Sequence, residues 1–322
     1  MTEKIVEIKD LVVHYETDEG VVEAVNNVSF DIKKGEVLGV VGETGAGKTT
    51  IALSIMNLLP HPPAHIIQGE VFLEGEDMLE KRQKELRKIR GQKISMVFQD
   101  PMTALNPVHS VGEQIAEVLR LHNKGLSAAE IERKAVKMLE TVGIPGERYH
   151  DYPHQFSGGM KQRVVIAIAL ACEPELLIAD EPTTALDVTI QAQVLDLMKE
   201  LQKNYGMAML MITHDFGIVA DICNRCAVIY AGEVVEMGDV AHIFDNPTHP
   251  YTIGLFQSLP SLDKDVERLE PIPGSVADPT DLPAYCSFYD RCTYRTDACK
   301  TRNPQLRETE PGHLVKCIHQ GG

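Results

Sequence analysis

Short apolar runs alternate with longer helical patterns along most of this chain. The short runs consist mostly of consecutive apolar residues, whereas in the helical patterns apolar residues recur every three to four positions. The strand-like runs cover residues 37–41, 94–98, 175–179 and 207–213, and the helical patterns cover 111–121, 128–142, 159–171 and 188–203. Buried strands separated by helices are typical of a parallel sheet with helical crossovers. The pattern therefore predicts an α/β fold.

Two regions depart from this alternation. Residues 5–13 and 21–32 are rich in β-branched and apolar side chains on either side of the turn sequence Thr17 to Gly20, which predicts an N-terminal antiparallel hairpin. Residues 102–158 are mostly helical in pattern and carry no strand signal. We expect this block, at about 102–158, to be an inserted helical subdomain.

The C-terminal part of the chain has a different composition. A short strand pair is predicted over residues 225–237, and proline becomes frequent from Pro247 onward. A segment rich in proline and charge buries little apolar surface and needs another source of stability. We therefore predict a main domain over residues 1–255 and a small, loop-rich accessory domain over residues 256–322.

Composition and charge restrict the classes of function. The 322 residues are 43% hydrophobic and 24% charged, and 31 basic against 47 acidic residues give a net charge of −16. A chain this acidic repels phosphate backbones, so we expect no nucleic acid partner. There is no apolar stretch of about 18 residues that could span a membrane, and residues 1–10 lack the apolar core of a signal peptide. We expect the chain to stay in the cytoplasm.

A glycine-rich loop follows the first buried strand-like run. The sequence from Gly42 to Thr49 reads GETGAGKT and precedes a helical stretch over residues 50–59. Gly42, Gly45 and Gly47 allow a tight turn whose backbone N–H groups point inward, next to a helix N-terminus. This strand, loop and helix arrangement predicts a phosphate-binding loop for a nucleotide.

The residues that end this loop add charge and a metal ligand. Lys48 supplies a fixed positive charge for the outer phosphates, and the hydroxyl of Thr49 is a ligand for Mg²⁺. Thr50, the next residue, is a further candidate for nucleotide binding. We therefore expect ATP with Mg²⁺ at this loop.

A pair of carboxylates ends a later strand-like run. Asp180 and Glu181 follow the apolar residues 176–179 and should lie at the carboxyl edge of the sheet, where ligands of open α/β sheets bind. Asp180 is placed to hold Mg²⁺, and Glu181 to orient and polarise the attacking water.

Residues 156–163, FSGGMKQR, resemble the signature loop of the nucleotide-binding subunits of ABC transporters. The family pattern has Leu where Phe156 stands and Gln where Met160 stands, while Ser157, Gly158 and Gly159 are intact. These three residues open a predicted helix and form a second anion-binding helix terminus on the same chain. The resemblance implies an ABC-type P-loop ATPase fold, in which ATP is held between the phosphate loop of one subunit and the signature loop of another.

The resemblance assigns roles to four further residues and covers roughly residues 5–260. Gln99 matches the glutamine that reaches Mg²⁺ and the attacking water, and Asp187 belongs to the loop that crosses between subunits. His214 matches the switch histidine near the γ-phosphate, and Tyr15 matches the aromatic residue that stacks on adenine. Hydrolysis would then depend on positioning and charge stabilisation, with Glu181, His214 and Gln99 as the catalytic residues.

Two segments indicate a subfamily. Residues 99–107, QDPMTALNP, and residues 246–252, NPTHPYT, resemble oligopeptide, dipeptide and nickel importers. That resemblance implies a peripheral subunit at the cytoplasmic face of the cell membrane. Its partners would be a second, different ABC ATPase subunit, two integral membrane permease subunits and, indirectly, an external substrate-binding protein. Peptide and nickel cargo both remain open, as does a soluble ABC ATPase without a transport role.

Four of the seven cysteines lie within the last 37 residues. Cys286, Cys292, Cys299 and Cys317 are separated by five, six and seventeen residues. Structural zinc is usually held by pairs of ligands two to four residues apart, whereas a cubane cluster is larger and fits wider spacing. We therefore expect a [4Fe–4S] cluster on these four residues, with Zn²⁺ as the alternative. Cys223 and Cys226 form a lone CxxC that we expect to be packing groups.

Overall fold

The computed structural model describes residues 3–184, 186–258 and 271–319. The strands are Lys4–Thr17 (β1), Gly20–Lys33 (β2), Val37–Val41 (β3), Ala64–Leu73 (β4), Glu76–Asp77 (β5), Ile94–Val97 (β6), Leu176–Asp180 (β7), Ala208–Thr213 (β8), Arg225–Tyr230 (β9), Glu233–Asp239 (β10), Arg307–Glu310 (β11) and His313–Val315 (β12).

The α-helices are Lys48–Ile55 (α1), Gln83–Ile89 (α2), Pro101–Ala104 (α3), Val111–His122 (α4), Ala128–Thr141 (α5), Gly158–Leu170 (α6), Val188–Tyr205 (α7), Phe216–Ile222 (α8), Val240–Asp245 (α9) and Pro250–Gln257 (α10). Short 3₁₀ turns cover Gly146–His150, Pro153–Gln155, Tyr289–Arg291 and Asp297–Lys300. None of the helices within the described residues is long and apolar enough to cross a membrane.

The fold divides into two compact units. The first spans residues 1–6, 32–37 and 73–212, and the second spans residues 7–31, 38–72 and 213–322. Residues 255 and 256 both belong to the second unit. The domain boundary that we predict between them therefore does not coincide with this division and stays a prediction.

The first unit contains three parallel strands and the helical subdomain. Strands β6, β7 and β8 pair in parallel, with Ile178 of β7 between Met96 and Leu210. Residues 102–158 form helices and 3₁₀ turns, as predicted. Helix α5 begins with a capping box in which the Ser127 side chain accepts from the N–H of Glu130 and the Glu130 carboxylate accepts from the N–H of Ser127.

The second unit contains the predicted hairpin and the C-terminal residues. Strands β1 and β2 are neighbours joined by a two-residue turn, so they run antiparallel, and β4 lies on the other side of β1. Strand β3 pairs in parallel with β9, which pairs antiparallel with β10. The C-terminal strand β12 pairs antiparallel with β10, with Val315 opposite Glu236.

Several elements were not predicted from the sequence, among them β4, α2 and the tail strands β11 and β12. The tail also buries more than its composition suggests. Phe288 and Val315 are 4% and 0% exposed, and Phe288 packs edge-on against Tyr230 and Tyr251. The accessory segment is therefore anchored to the second unit by a strand and by an aromatic cluster.

Candidate nucleotide-binding site

The glycine-rich loop joins β3 to α1 in the second unit. Gly47 is the N-cap of α1 and has φ +97°. A Cβ at Gly47 would lie 2.2 Å from the carbonyl oxygen of Ala24, and a Cβ at Gly42 would lie 2.2 Å from that of Ile229. A larger residue at either position would force the backbone to shift, which costs more than moving a flexible side chain. The loop therefore makes a tight turn directly before a helix N-terminus, a setting in which backbone N–H groups can bind phosphate.

Lys48 and the two threonines after it differ in exposure. The Lys48 side chain curls over the loop, and its Nζ donates to the carbonyl oxygens of Gly42 at 2.7 Å and Glu43 at 3.0 Å. Thr49 is exposed at the start of α1, whereas Thr50 is buried. The Thr50 hydroxyl lies 3.3 Å from the hydroxyl of half-buried Tyr15. The structure thus brings four of the predicted nucleotide-binding residues of this unit to one helix end.

Glu43 is a loop residue that no sequence pattern singles out. Its backbone N–H donates to the hydroxyl of Tyr251 at 3.0 Å, and its carboxylate accepts two hydrogen bonds from Arg291. Nothing in the local sequence indicates these partners, because both are more than 200 residues away.

The carboxylate cluster lies in the first unit, at the carboxyl end of β7. Asp180 is 3% exposed, and Glu181 follows it with φ +45°. The Gln99 amide donates to Glu181 Oε2 at 3.0 Å, and the Thr184 hydroxyl donates to the same oxygen at 2.9 Å. The Glu181 N–H donates to the carbonyl oxygen of Ile212 in β8. Two side-chain donors and a backbone hydrogen bond thus constrain the orientation of this carboxylate.

The signature residues begin α6 in the first unit. Ser157 caps this helix, and its Oγ accepts from the N–H of Met160. A Cβ at Gly159 would lie 2.4 Å from a methyl carbon of Ile190, so glycine allows α7 to approach the start of α6 closely. Asp187 caps α7 in the same way, by accepting from the N–H of Ile190 at 3.0 Å. Gly158 lies between these caps, where an added Cβ would meet only Leu186 at 3.7 Å.

His214 lies in the second unit, directly after β8. Its side chain is exposed, and the next residue, Asp215, caps α8 by accepting from the N–H of Gly217. The strand end and the helix cap fix the backbone on both sides of His214, so its place at the end of β8 is as predicted.

Comparison with known proteins decides the family. The profile of the family described as "ABC transporter" matches residues 25–184, and that described as "Oligopeptide/dipeptide transporter, C-terminal region" matches residues 235–299. The oligopeptide transport ATP-binding protein OppD of Bacillus subtilis is 48% identical to this chain, and the alignment covers 97% of this chain and 88% of OppD. The chain belongs to the ABC transporter family. Within it, the chain falls among the ATP-binding subunits of the oligopeptide/dipeptide branch, as the sequence analysis predicted.

Further relatives agree with this membership. The dipeptide transport ATP-binding protein DppD of Lactococcus lactis is also 48% identical, over 98% of this chain and 90% of its own. A solved dimeric structure of the ATP-binding cassette MJ0796, in a post-hydrolysis state with ADP and Pi, is 30% identical with a TM-score of 0.66. The structural match covers 73% of this chain and 98% of the MJ0796 chain. This ABC transporter subunit is therefore an ATPase with the predicted ABC-type fold.

The four C-terminal cysteines line one cavity, together with His319. Cys299 Sγ lies 3.3 Å from His319 Nε2. Burial raises the pKa of the Cys286 thiol to about 11. His313 is not part of this group, because its Nε2 lies 2.8 Å from Glu236 Oε1 in the buried core.

This grouping of cysteines is nevertheless not a preformed metal site. Within the described ranges, no three His, Cys, Asp or Glu side chains are arranged to hold a metal ion. The described part of the structure therefore contains no preformed single-ion site that would correspond to the expected [4Fe–4S] cluster or to zinc. Cys223 and Cys226 lie elsewhere in the second unit, and both are buried as packing groups.

Proposed function

We propose that this ABC transporter ATPase powers the import of dipeptides or oligopeptides. The observation that carries the proposal is the match of residues 235–299 to the C-terminal region of oligopeptide/dipeptide transporters. Relatives named for dipeptide and oligopeptide transport align over almost the whole chain. The match to this C-terminal region favours peptide over nickel as cargo and a transport role over a soluble one.

Cargo can be tested in vesicles that contain the chain together with the second ATPase subunit, two permease subunits and a substrate-binding protein. We expect ATP-dependent accumulation of a labelled dipeptide or tetrapeptide. Accumulation of Ni²⁺ with no peptide uptake would contradict the proposal, and the same vesicles with Lys48→Ala provide the background.

We propose that the chain's residues divide the chemistry as the resemblance implies. Lys48 and the loop N–H groups bind the phosphates, and Glu181 orients the attacking water. Thr49, Gln99 and Asp180 offer the oxygen ligands that Mg²⁺ prefers. Bound Mg²⁺ would offset charge on the phosphates during hydrolysis.

The remaining site residues have supporting roles in this proposal. Tyr15 provides the surface for adenine, Thr50 supports the loop, and His214 senses the γ-phosphate. The N-cap at Ser157, with Gly158 and Gly159, presents a helix N-terminus to the ATP of a second subunit, and Asp187 belongs to the crossing loop.

Glu181→Gln tests the assignment of the water-orienting group. The amide keeps the size of the side chain and removes its charge, so we expect turnover to fall by about 100-fold or more, in the range for loss of a general base. ATP affinity should stay near that of the wild type. Glu132→Gln, an exposed substitution on α5, is the matched control. Phosphate release by Glu181→Gln at the control's rate would remove Glu181 from this role.

The proposed assembly pairs this chain with a second ABC ATPase subunit, in a heterodimer beneath two membrane permease subunits. The chain is then a peripheral subunit at the cytoplasmic face of the membrane, and an external binding protein delivers the peptide. Support comes from the two nucleotide-binding motifs on one chain, the phosphate loop and the signature loop, since a composite site of this kind needs two subunits.

We also propose that Cys286, Cys292, Cys299 and Cys317 bind a [4Fe–4S] cluster in the mature protein. Their common cavity supports this proposal, as do spacings wider than those of structural zinc sites. The four thiolates would supply a cross-link to a segment with few large apolar side chains.

Anaerobically purified protein should then contain about four irons and four sulfides per chain. Cys317→Ser should lose the brown colour of the cluster and leave the tail sensitive to protease, while Cys226→Ser should keep both the metal and the protection. A measured content of one zinc per chain would contradict the iron cluster but keep the four cysteines as ligands. Full iron loading in Cys317→Ser would contradict the ligand set.

A further inference from the structure

The phosphate loop carries an acidic side chain, Glu43, whose partner lies in the C-terminal segment, residues 271–319. Arg291 Nη1 donates to Glu43 Oε2 at 2.6 Å, and Nη2 donates to Glu43 Oε1 at 3.0 Å. This is a bidentate ion pair, the strongest and most directional arrangement of these two groups. The Arg291 side chain is 5% exposed and that of Glu43 is 30% exposed. The pair is therefore largely shielded from water.

Arg291 is itself held in place by the C-terminal segment. Its Nε donates to the carbonyl oxygen of Pro273 at 3.2 Å, and its guanidinium carbon lies 5.7 Å from the ring centre of Tyr230 and 5.9 Å from that of Phe288. The ion pair with Glu43 raises the pKa of Arg291 further above its ordinary value. The guanidinium is thus a fixed charge with little freedom to leave Glu43.

The backbone of Glu43 connects this ion pair to the phosphate-binding groups. Its N–H donates to Tyr251, and its carbonyl oxygen accepts from Lys48 Nζ at 3.0 Å and from the Ala46 N–H at 3.2 Å. Anchoring both the side chain and the backbone of Glu43 fixes the turn over which Lys48 lies. A change in the Glu43 side chain is consequently transmitted to the lysine that faces the phosphates.

Charge gives the ion pair a second effect. A carboxylate in a loop that binds a polyanion repels the ligand, and the repulsion is strong where water is partly excluded. Arg291 neutralises this carboxylate and donates a hydrogen bond to each of its oxygens. Without Arg291 the loop would present an unpaired negative charge beside the phosphates.

We propose that Arg291 is a positioning residue for ATP. It acts through Glu43, so that the C-terminal segment shapes and neutralises the phosphate loop. The proposal rests on the proposed role of residues 42–49 in binding ATP, and it gives the C-terminal segment a part in the ATPase site that its position in the sequence does not indicate.

A double-mutant cycle on Glu43 and Arg291 tests the proposal, with KM for ATP and kcat measured separately. We expect Arg291→Ala to raise KM about tenfold, since a partner charge is left unpaired in a partly buried site, and to change kcat far less. Arg291→Lys keeps the charge without the bidentate geometry and should fall in between. Glu43→Ala should change KM by about threefold or less, because it removes the repulsive charge together with the anchor.

The decisive variant is Glu43→Ala combined with Arg291→Ala. We expect it to bind ATP about as well as Glu43→Ala alone, because the charge that Arg291 neutralises is then gone. The defect of Arg291→Ala should also shrink as ionic strength rises, since salt screens the repulsion. Arg295→Ala is the matched control, because it removes an exposed guanidinium of the same segment that donates to the carbonyl oxygen of Asp290 and lies over the ring of Tyr289.

A double variant as defective as Arg291→Ala, or a defect that salt does not change, would overturn the proposal and leave Arg291 as a structural residue of the tail. Wild-type KM in Arg291→Ala would overturn it as well. If Arg291→Ala does not fold, Arg291→Met, which keeps the aliphatic stem, replaces it in the same cycle. Failure of the proposed function differs from all of these outcomes, because the wild type itself would then bind no ATP.

Discussion

Replacing Gly47 by alanine separates steric contact from backbone conformation in the phosphate loop. Gly47 caps α1 with φ +97°, and an added Cβ would lie 2.2 Å from the carbonyl oxygen of Ala24 in β2. Gly45, two residues earlier, has a similar φ of +82°, but an added Cβ there meets no heavy atom within 4 Å. Both substitutions therefore carry the penalty of an alanine at positive φ, but only Gly47→Ala adds a steric clash with the Ala24 carbonyl oxygen.

The magnitudes follow from this difference. A non-glycine residue at positive φ costs about 1–2 kcal/mol, partly offset by about 0.4–1 kcal/mol from the lower entropy of the unfolded chain. Gly45→Ala should thus lower the free energy of unfolding by about 1 kcal/mol or less. Gly47→Ala must also displace the Ala24 carbonyl or the loop by roughly 1 Å, which adds about 1–3 kcal/mol. We therefore expect Gly47→Ala to lower the free energy of unfolding by about 3 kcal/mol in total.

Urea unfolding of both variants measures these free energies, and equilibrium ATP binding reports the loop itself. Gly47→Ala should also lose more ATP affinity than Gly45→Ala, because moving the N-cap moves the N–H groups at the start of α1. Equal loss of stability in the two variants would refute the reasoning, since it would mean that the contact with Ala24 costs nothing.

Three further predictions concern charge, assembly and pH. Lys48→Ala should weaken ATP binding itself by about 10-fold or more, because it removes a charged donor that contacts phosphate in the ground state; unchanged affinity would contradict that contact. Phosphate release per chain should rise with protein concentration or on adding the second ATPase subunit, and a dilution series with constant activity per chain would exclude a composite site. Burial raises the pKa of Cys223 to about 12, and that of Cys226 is raised as well, against about 8.5 for an unfolded thiol. Above pH 8.5 the folded state retains protons that the unfolded state loses, so the free energy of unfolding should fall as pH rises from 8.5, by up to about 1.4 kcal/mol per pH unit for each thiol. Cys223→Ala should reduce that slope when unfolding is measured at pH 7.5 and 9.5.

Features that depend on neighbouring residues could be predicted from the sequence. The strand over residues 37–41 was predicted with the bounds that β3 has, because five consecutive apolar residues before a glycine-rich turn leave few alternatives. The loop from Gly42 to Thr49 followed from the conformational freedom of glycine. The caps at Ser157 and Asp187 lie where the predicted helices begin, since a cap bonds to the backbone within three residues.

Other features were decided only by the tertiary structure. The ion pair between Arg291 and Glu43 joins residues 248 positions apart, and neither residue belongs to a pattern that indicates the other. The tail strand β12 has only three residues, too few for a periodic signal, and it forms because β10 offers a free edge for pairing. The common cavity of the four cysteines likewise depends on how the loops between them fold back. A sequence specifies local backbone geometry through each residue's own conformational preferences, whereas contacts between distant segments depend on the packing of the whole chain, and in this ATPase that packing joins the C-terminal segment to the phosphate loop.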